Sequence, residues 1–103
     1  MKFKTLMNIL KAMEEEDPSI ALHIEIASAV QSNIDLSAYD DEGIEELCNR
    51  IERYYLQSSA NCDIDSFAYC IQQQIDNGEY ETPTQECLAD AYSQARDMDA
   101  FNC

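Results

Sequence analysis

Apolar residues recur at helical intervals along most of this chain. Phe3, Leu6, Met7, Leu10 and Met13 lie three or four apart within residues 3–16. That spacing predicts an amphipathic helix whose stripe, methionines included, faces a core. Asp17-Pro18 opens a second helix, with Asp17 as N-cap and Pro18 in the first position. Ile20, Leu22, Ile24, Ile26, Ala27 and Val30 make this segment apolar around much of its circumference, which suits a central, mostly buried element. Residues 20–26 also alternate with period two, as a half-buried strand does. The cap and the continuation to Val30 favour helix.

Residues 41–56 carry the cleanest stripe: Ile44, Leu47, Cys48, Ile51, Tyr54 and Tyr55. Asp40, Asp41 and Glu42 stand at its start and Arg50 and Arg53 near its end, in agreement with the helix dipole. Glu46 and Arg50 form a favourable i,i+4 pair. Ile64, Phe67, Ala68, Ile71 and Ile75 repeat the spacing over 63–76, and Asn77-Gly78 stops that helix. Thr82-Pro83-Thr84-Gln85 opens a last helix, with Pro83 in its first position and Gln85 placed for a capping box. Leu88, Ala91, Tyr92 and Ala95 form its stripe, and residues 31–40 form the longest expected connection. These elements predict an all-α fold, a compact bundle of about five helices in one acidic domain spanning 1–103.

Composition supports that architecture. Two glycines and two prolines leave little for a turn-rich β fold, and 46% hydrophobic residues are enough for one core. Charge changes the picture more. Against 21 acidic residues stand six basic ones, for a net charge of −15. No Lys or Arg lies between Lys11 and Arg50, a stretch with eleven carboxylates, and none lies between Arg53 and Arg96. Glu14-Glu15-Glu16 even crowd the negative end of the first helix dipole, a small local cost. Such a surface repels DNA, RNA and anionic membranes and attracts basic proteins from a distance.

Chemistry is sparse. The five cysteines, Cys48, Cys62, Cys70, Cys87 and Cys103, are odd in number and contain no CxxC spacing. They read as free thiols in a reducing cytosol, several acting as small apolar residues. His23 is the only histidine and reads as a packing or rim residue, so a Cys/His metal site is not expected. Asp63-x-Asp65 fails as a calcium loop, because Ala68 stands where glycine is required. No glycine-rich phosphate loop, nucleophile elbow or Glu-x-x-His pattern occurs. The expectation is a protein that is not an enzyme and needs neither cofactor nor metal. Lys2 and Lys4 precede an apolar run that Asn8, Lys11 and Glu14 break, so no signal peptide or membrane helix is expected and the location read is cytoplasmic.

The acidic faces carry the functional expectation. On the last helix Glu86, Asp90 and Asp97 follow one face at offsets of 0, 4 and 11, with Ser93 in the gap. Carboxylates about 5–6 Å apart on a rigid rod present a basic groove with something like a strand of phosphates. Tyr39, in Tyr39-Asp40-Asp41-Glu42, and Tyr80, in Glu79-Tyr80-Glu81, read as exposed interface tyrosines. Tyr54, Tyr55 and Tyr92 read as core or core rim. The residues expected to bind a partner are Glu14, Glu15, Glu16, Asp40, Asp41, Glu42, Glu45, Glu86 and Asp90, with Tyr39 and Tyr80.

In general character, through Glu14 to Asp17, Asp40 to Glu46, Asp63 and Asp65, and Glu79 to Glu86, the chain resembles the small acidic proteins with which phages and plasmids block host defence, the anti-CRISPR and anti-restriction DNA-mimic proteins. That resemblance implies a stoichiometric inhibitor filling the basic nucleic-acid channel of a CRISPR effector or other defence nuclease. Two other readings accompany it: an acidic helical adaptor or antitoxin-like module for one basic protein, and adaptation to high salt.

Overall fold

A computed structural model describes residues 3–59 and 61–102. The side chains of Phe3, Lys4, Leu6, Ala100, Phe101 and Asn102, and all of Met1, Lys2, Ala60 and Cys103, lie outside what it describes. Among the described residues the chain forms α1 (Phe3–Glu16), a 3₁₀ turn (Pro18–Ile20), α2 (Ala21–Asn33), α3 (Asp41–Gln57), α4 (Ile64–Asp76) and α5 (Gln85–Asn102). No strand occurs among them, so residues 20–26 are helical and the fold is an all-α bundle.

Local chemistry explains each boundary. Asp17 Oδ1 accepts from the Ser19 N–H at 3.1 Å, so the Asp-Pro cap opens the 3₁₀ turn that feeds α2. Asp40 caps α3 in the same way, accepting from the Gly43 N–H at 2.8 Å. The end of α4 is a Schellman turn: Gly78 N–H donates to Ile75 O and Glu79 N–H to Gln74 O. Gly78 adopts φ +77°, where a side chain would be strained. Ser59 does the same job after α3 at φ 67°, with no glycine to mark it in sequence.

Two expectations shift. The last helix starts at Gln85, not around Pro83; Thr84 is its cap, with Oγ1 accepting from the Cys87 N–H at 3.2 Å. Pro83 instead is buried ahead of the helix, so neither the first-position proline nor the Gln85 capping box forms. Helix α2 also runs through Asn33, which shortens the 31–40 connection to 34–40 and leaves 77–84 as the longer link.

Helices α2 and α4 lie at the centre. α4 packs on α5 and α2, and α2 also meets α1 and α3. The buried stripes are Ile26, Ala27 and Val30 on α2, Ile44, Leu47, Cys48 and Ile51 on α3, and Leu88, Ala91 and Ala95 on α5. Phe67 is fully buried on α4, with ring centroids 5.5–6.1 Å from Tyr92, Tyr54 and Tyr55. Such aromatic pairs add roughly 0.5–1.5 kcal/mol each beyond burial. Tyr92 also clasps the α3–α4 link: its hydroxyl donates to Ser58 O at 2.8 Å and accepts from the Asn61 N–H. The first stripe is only partly a core stripe. Met7 and Leu10 are buried, but Met13 is 49% exposed. The packed row on α1 runs Met7, Leu10, Glu14, which turns Met13 toward the surface.

Candidate functional site

The starts of α3 and α5 meet at one seam. Tyr39 leads into α3, and Thr82 and Pro83 lead into α5; together with Gly43, Glu46, Leu47 and Arg50 they line a small cleft of about 120 Å³. Arg50 fastens the seam. Its Nη1 donates to Pro83 O at 2.7 Å and its Nη2 to Glu46 Oε1 at 2.9 Å. The Glu46–Arg50 pair therefore forms as the i,i+4 spacing predicts. Gly43 lets the Asp40 cap sit close, since a Cβ there would lie 3.1 Å from Asp40 Oδ1.

Five of the expected partner-binding carboxylates flank this seam. Asp40, Asp41, Glu42, Glu86 and Asp90 are all exposed. Asp41, Glu42 and Glu86 stand in the first turns of their helices, where the dipole favours negative charge, so they also help the fold. The two tyrosines depart from expectation. Tyr39 and Tyr80 are half-buried and pack against the core instead of standing out from the surface. Burial, with Cys87 adding and Arg50 opposing, pushes the Tyr39 hydroxyl's pKa up. The Tyr80 hydroxyl donates to the Asp90 carboxylate, and chiefly that bond pushes its pKa up to about 12. Both rings pack against the core, and the Tyr80 hydroxyl reaches an exposed carboxylate.

A second feature lies elsewhere, between α1 and α3. Ile9, Leu10 and Met13 of α1, Ser19 and Ile20 of the 3₁₀ turn, His23 of α2, and Glu45 and Glu52 of α3 enclose a groove of about 530 Å³. Ile9 is 42% exposed beside Met13, one turn away on the same face. His23 Nδ1 lies 2.6 Å from Glu52 Oε2, within hydrogen-bond distance. His23 is thus a rim residue, as its isolation in the sequence indicates.

Glu45 belongs to this groove, whereas Glu46, its neighbour, belongs to the seam. Glu14, Glu15 and Glu16 end α1 immediately after Met13; Glu14 is half-buried and Glu15 and Glu16 are exposed, and none of the three lines the groove or the cleft. Of the expected carboxylates, Glu45 alone lines the groove, and the set does not gather on one surface. Asp41 and Glu52 stand eleven residues apart on α3, about 16 Å along its axis. Sequence reasoning missed the groove. Its one signal was Ile9, an apolar residue off the stripe of α1.

The described thiols Cys48, Cys62, Cys70 and Cys87 are free and buried. Burial pushes Cys48 up to about 11 and Cys62 up to about 12, which holds both as unreactive thiols. Among the described residues no three His, Cys, Asp or Glu side chains are placed to hold a metal ion, and no helix is long and apolar enough to cross a membrane. No protein-family model, curated protein or solved structure matches the chain.

Proposed function

We propose that this protein is a stoichiometric inhibitor, anti-CRISPR-like in mode, that covers the basic nucleic-acid-binding surface of a defence nuclease or surveillance complex. The observation that carries the reading is the seam. Asp40, Asp41, Glu42 and Glu86 are exposed at the starts of two helices that Arg50 ties together, with exposed Asp90 one turn further along α5, and the one basic side chain lining the cleft at that junction, Arg50, is already engaged. Carboxylates on rigid helices need little ordering to meet a basic channel, and they raise the association rate. Tyr39 and Tyr80 brace the surface from beneath.

Capture of a host CRISPR effector or nuclease on immobilised protein tests this. Excess duplex DNA is expected to displace the captured protein. Charge reversal at Asp40, Asp41 and Glu42 is expected to weaken capture more than reversal of Asp65, Asp76 and Asp97. Equal losses, or capture indifferent to DNA, would sink the mimic reading.

The exposed pair Ile9 and Met13 favours a second reading. In it the protein is a helical adaptor or antitoxin-like module that holds a basic protein by apolar contact and uses charge for steering.

A further inference from the structure

The groove between α1 and α3 has the chemistry of a helix cradle. Its floor and one wall are apolar, from Ile9, Leu10, Met13 and Ile20. Its other wall carries Glu45, which is exposed, and Glu52, which is held by His23 at 2.6 Å, and among the described residues no Lys or Arg lines it. Ile9 and Met13 are 42% and 49% exposed, so this apolar surface has no cover within the described chain. The volume of about 530 Å³ falls within the range of about 300–1,000 Å³ seen in binding clefts.

The shape points to an extended occupant. Glu45 and Glu52 are seven residues apart on α3, about 10 Å along its axis, which is two helical turns. A helix laid along the groove presents residues i, i+3 or i+4, and i+7 over that same span. Charge selects its composition. Exposed Glu45, with Glu52 beside its His23 partner on the same wall, meets Lys or Arg at the flank of the occupant's apolar face. A second copy of this chain is disfavoured, because two bodies of −15 repel each other and the wall offers that copy more negative charge.

We propose that this groove binds one amphipathic helix of a partner protein, with two or three aliphatic residues seated against Ile9, Met13 and Ile20 and basic residues paired to Glu45 and Glu52. This site rests on the second reading above only in requiring a basic protein partner. It does not depend on nucleic-acid mimicry at the seam.

The probe is a fluorescein-labelled 14-residue Leu/Lys peptide with leucines at i, i+3, i+4 and i+7, beside a scrambled peptide of the same composition. Binding is read by anisotropy. The patterned peptide is expected to bind roughly tenfold or more tightly than the scrambled one. Ile9→Ser and Met13→Ser are each expected to weaken it roughly tenfold. Both residues are exposed, so the circular dichroism melt reports that each variant folds. Glu45→Gln is expected to weaken binding a few-fold and to flatten its salt dependence. Charge reversal at Asp40, Asp41 and Glu42 is expected to change it less than twofold, which separates failure of this site from failure of the seam reading. Equal binding of both peptides, indifference to Ile9→Ser and Met13→Ser, or no binding at millimolar peptide overturns the proposal. So does a dimer in sedimentation that Met13→Ser abolishes, because the occupant is then a second copy.

Discussion

Arg50 makes two contacts from one guanidinium, and their expected worth is unequal. The bond to Glu46 is an i,i+4 pair on a helix surface, with side-chain exposures of 38% and 67%. Pairs of that kind contribute roughly 0.3–0.5 kcal/mol. The bond to Pro83 O, at 2.7 Å, joins α3 to the lead-in of α5, and Pro83 is buried. A hydrogen bond from a charged donor is worth about 1.5–3 kcal/mol, reduced here because Arg50 is partly exposed. Arg50→Met keeps most of the packed stem and removes both bonds, for an expected loss of about 1.5–2 kcal/mol. Glu46→Gln removes only the ion pair, for about 0.5 kcal/mol or less. Urea denaturation at pH 7 measures both. Amide exchange across residues 79–84 provides a local readout, expected to speed up in Arg50→Met and to stay unchanged in Glu46→Gln. Equal destabilisation by the two substitutions would refute the reasoning, since the seam would then depend on the surface pair and not on the Pro83 carbonyl.

Tyr92→Phe keeps the ring against Phe67 and loses both hydroxyl bonds to the α3–α4 link; urea melts are expected to show a loss of about 1–2 kcal/mol, and a change within 0.3 kcal/mol would discard the clasp. Ser59→Gly relieves a non-glycine residue at φ 67° and is expected to add about 0.5 kcal/mol, after the entropy glycine gains in the unfolded chain; a melt that falls instead would show a side-chain role for Ser59. Burial first, then Glu52 and Glu45, hold the Cys48 thiol at about 11, above its ordinary 9, so the folded state keeps a proton that the unfolded state sheds. Stability attributable to Cys48 is therefore complete below about pH 9 and lost as pH rises toward 11, at up to about 1.4 kcal/mol per unit. Urea melts of Cys48→Ala across pH 8–11 are expected to fall less steeply than wild type, and parallel slopes would reject the linkage.

Much of this architecture is legible because local signals and burial coincide. In α3 the Asp40 cap, the 0, 3, 4, 7 spacing of Ile44, Leu47, Cys48 and Ile51, and the Glu46–Arg50 pair all point to the same helix, and it forms where they place it. The α4 stop is legible for the same reason, since Gly78 supplies the conformation that the turn demands. The misreadings are tertiary. Pro83 is a good first residue for a helix, but Arg50 takes its carbonyl and the core takes its ring, so Thr84 becomes the cap. Met13 fits the stripe of α1 by spacing alone; which part of a stripe is covered depends on where α2 lies against it. Tyr39 and Tyr80 look exposed because their sequence neighbours are charged, yet what covers them comes from other elements: Thr82 and Pro83 beside Tyr39, and Asp90 of α5 beside Tyr80. The same dependence on other elements hid the groove, whose walls come from four separate segments.

The charge of −15 sets the fold and the two surfaces against each other in a way salt can resolve. Neighbouring carboxylates about 6 Å apart in water repel by roughly 0.7 kcal/mol before screening. Raising the ionic strength from 0.1 M to 1 M shortens the screening length from about 10 Å to about 3 Å, which mutes that repulsion. The folded protein is therefore expected to melt at higher temperature as NaCl is added. Salt adaptation makes the same forecast, so thermal stability alone cannot separate it from partner binding. Capture can. A partner held at the seam has little but charge to hold it and should be lost steeply over the same salt range that steadies the fold. A helix seated in the groove keeps its contacts with Ile9, Met13 and Ile20 and should lose only the part owed to Glu45 and Glu52. Opposite slopes for melting and capture mark the seam as the working surface, and rising stability with shallow loss of capture marks the groove.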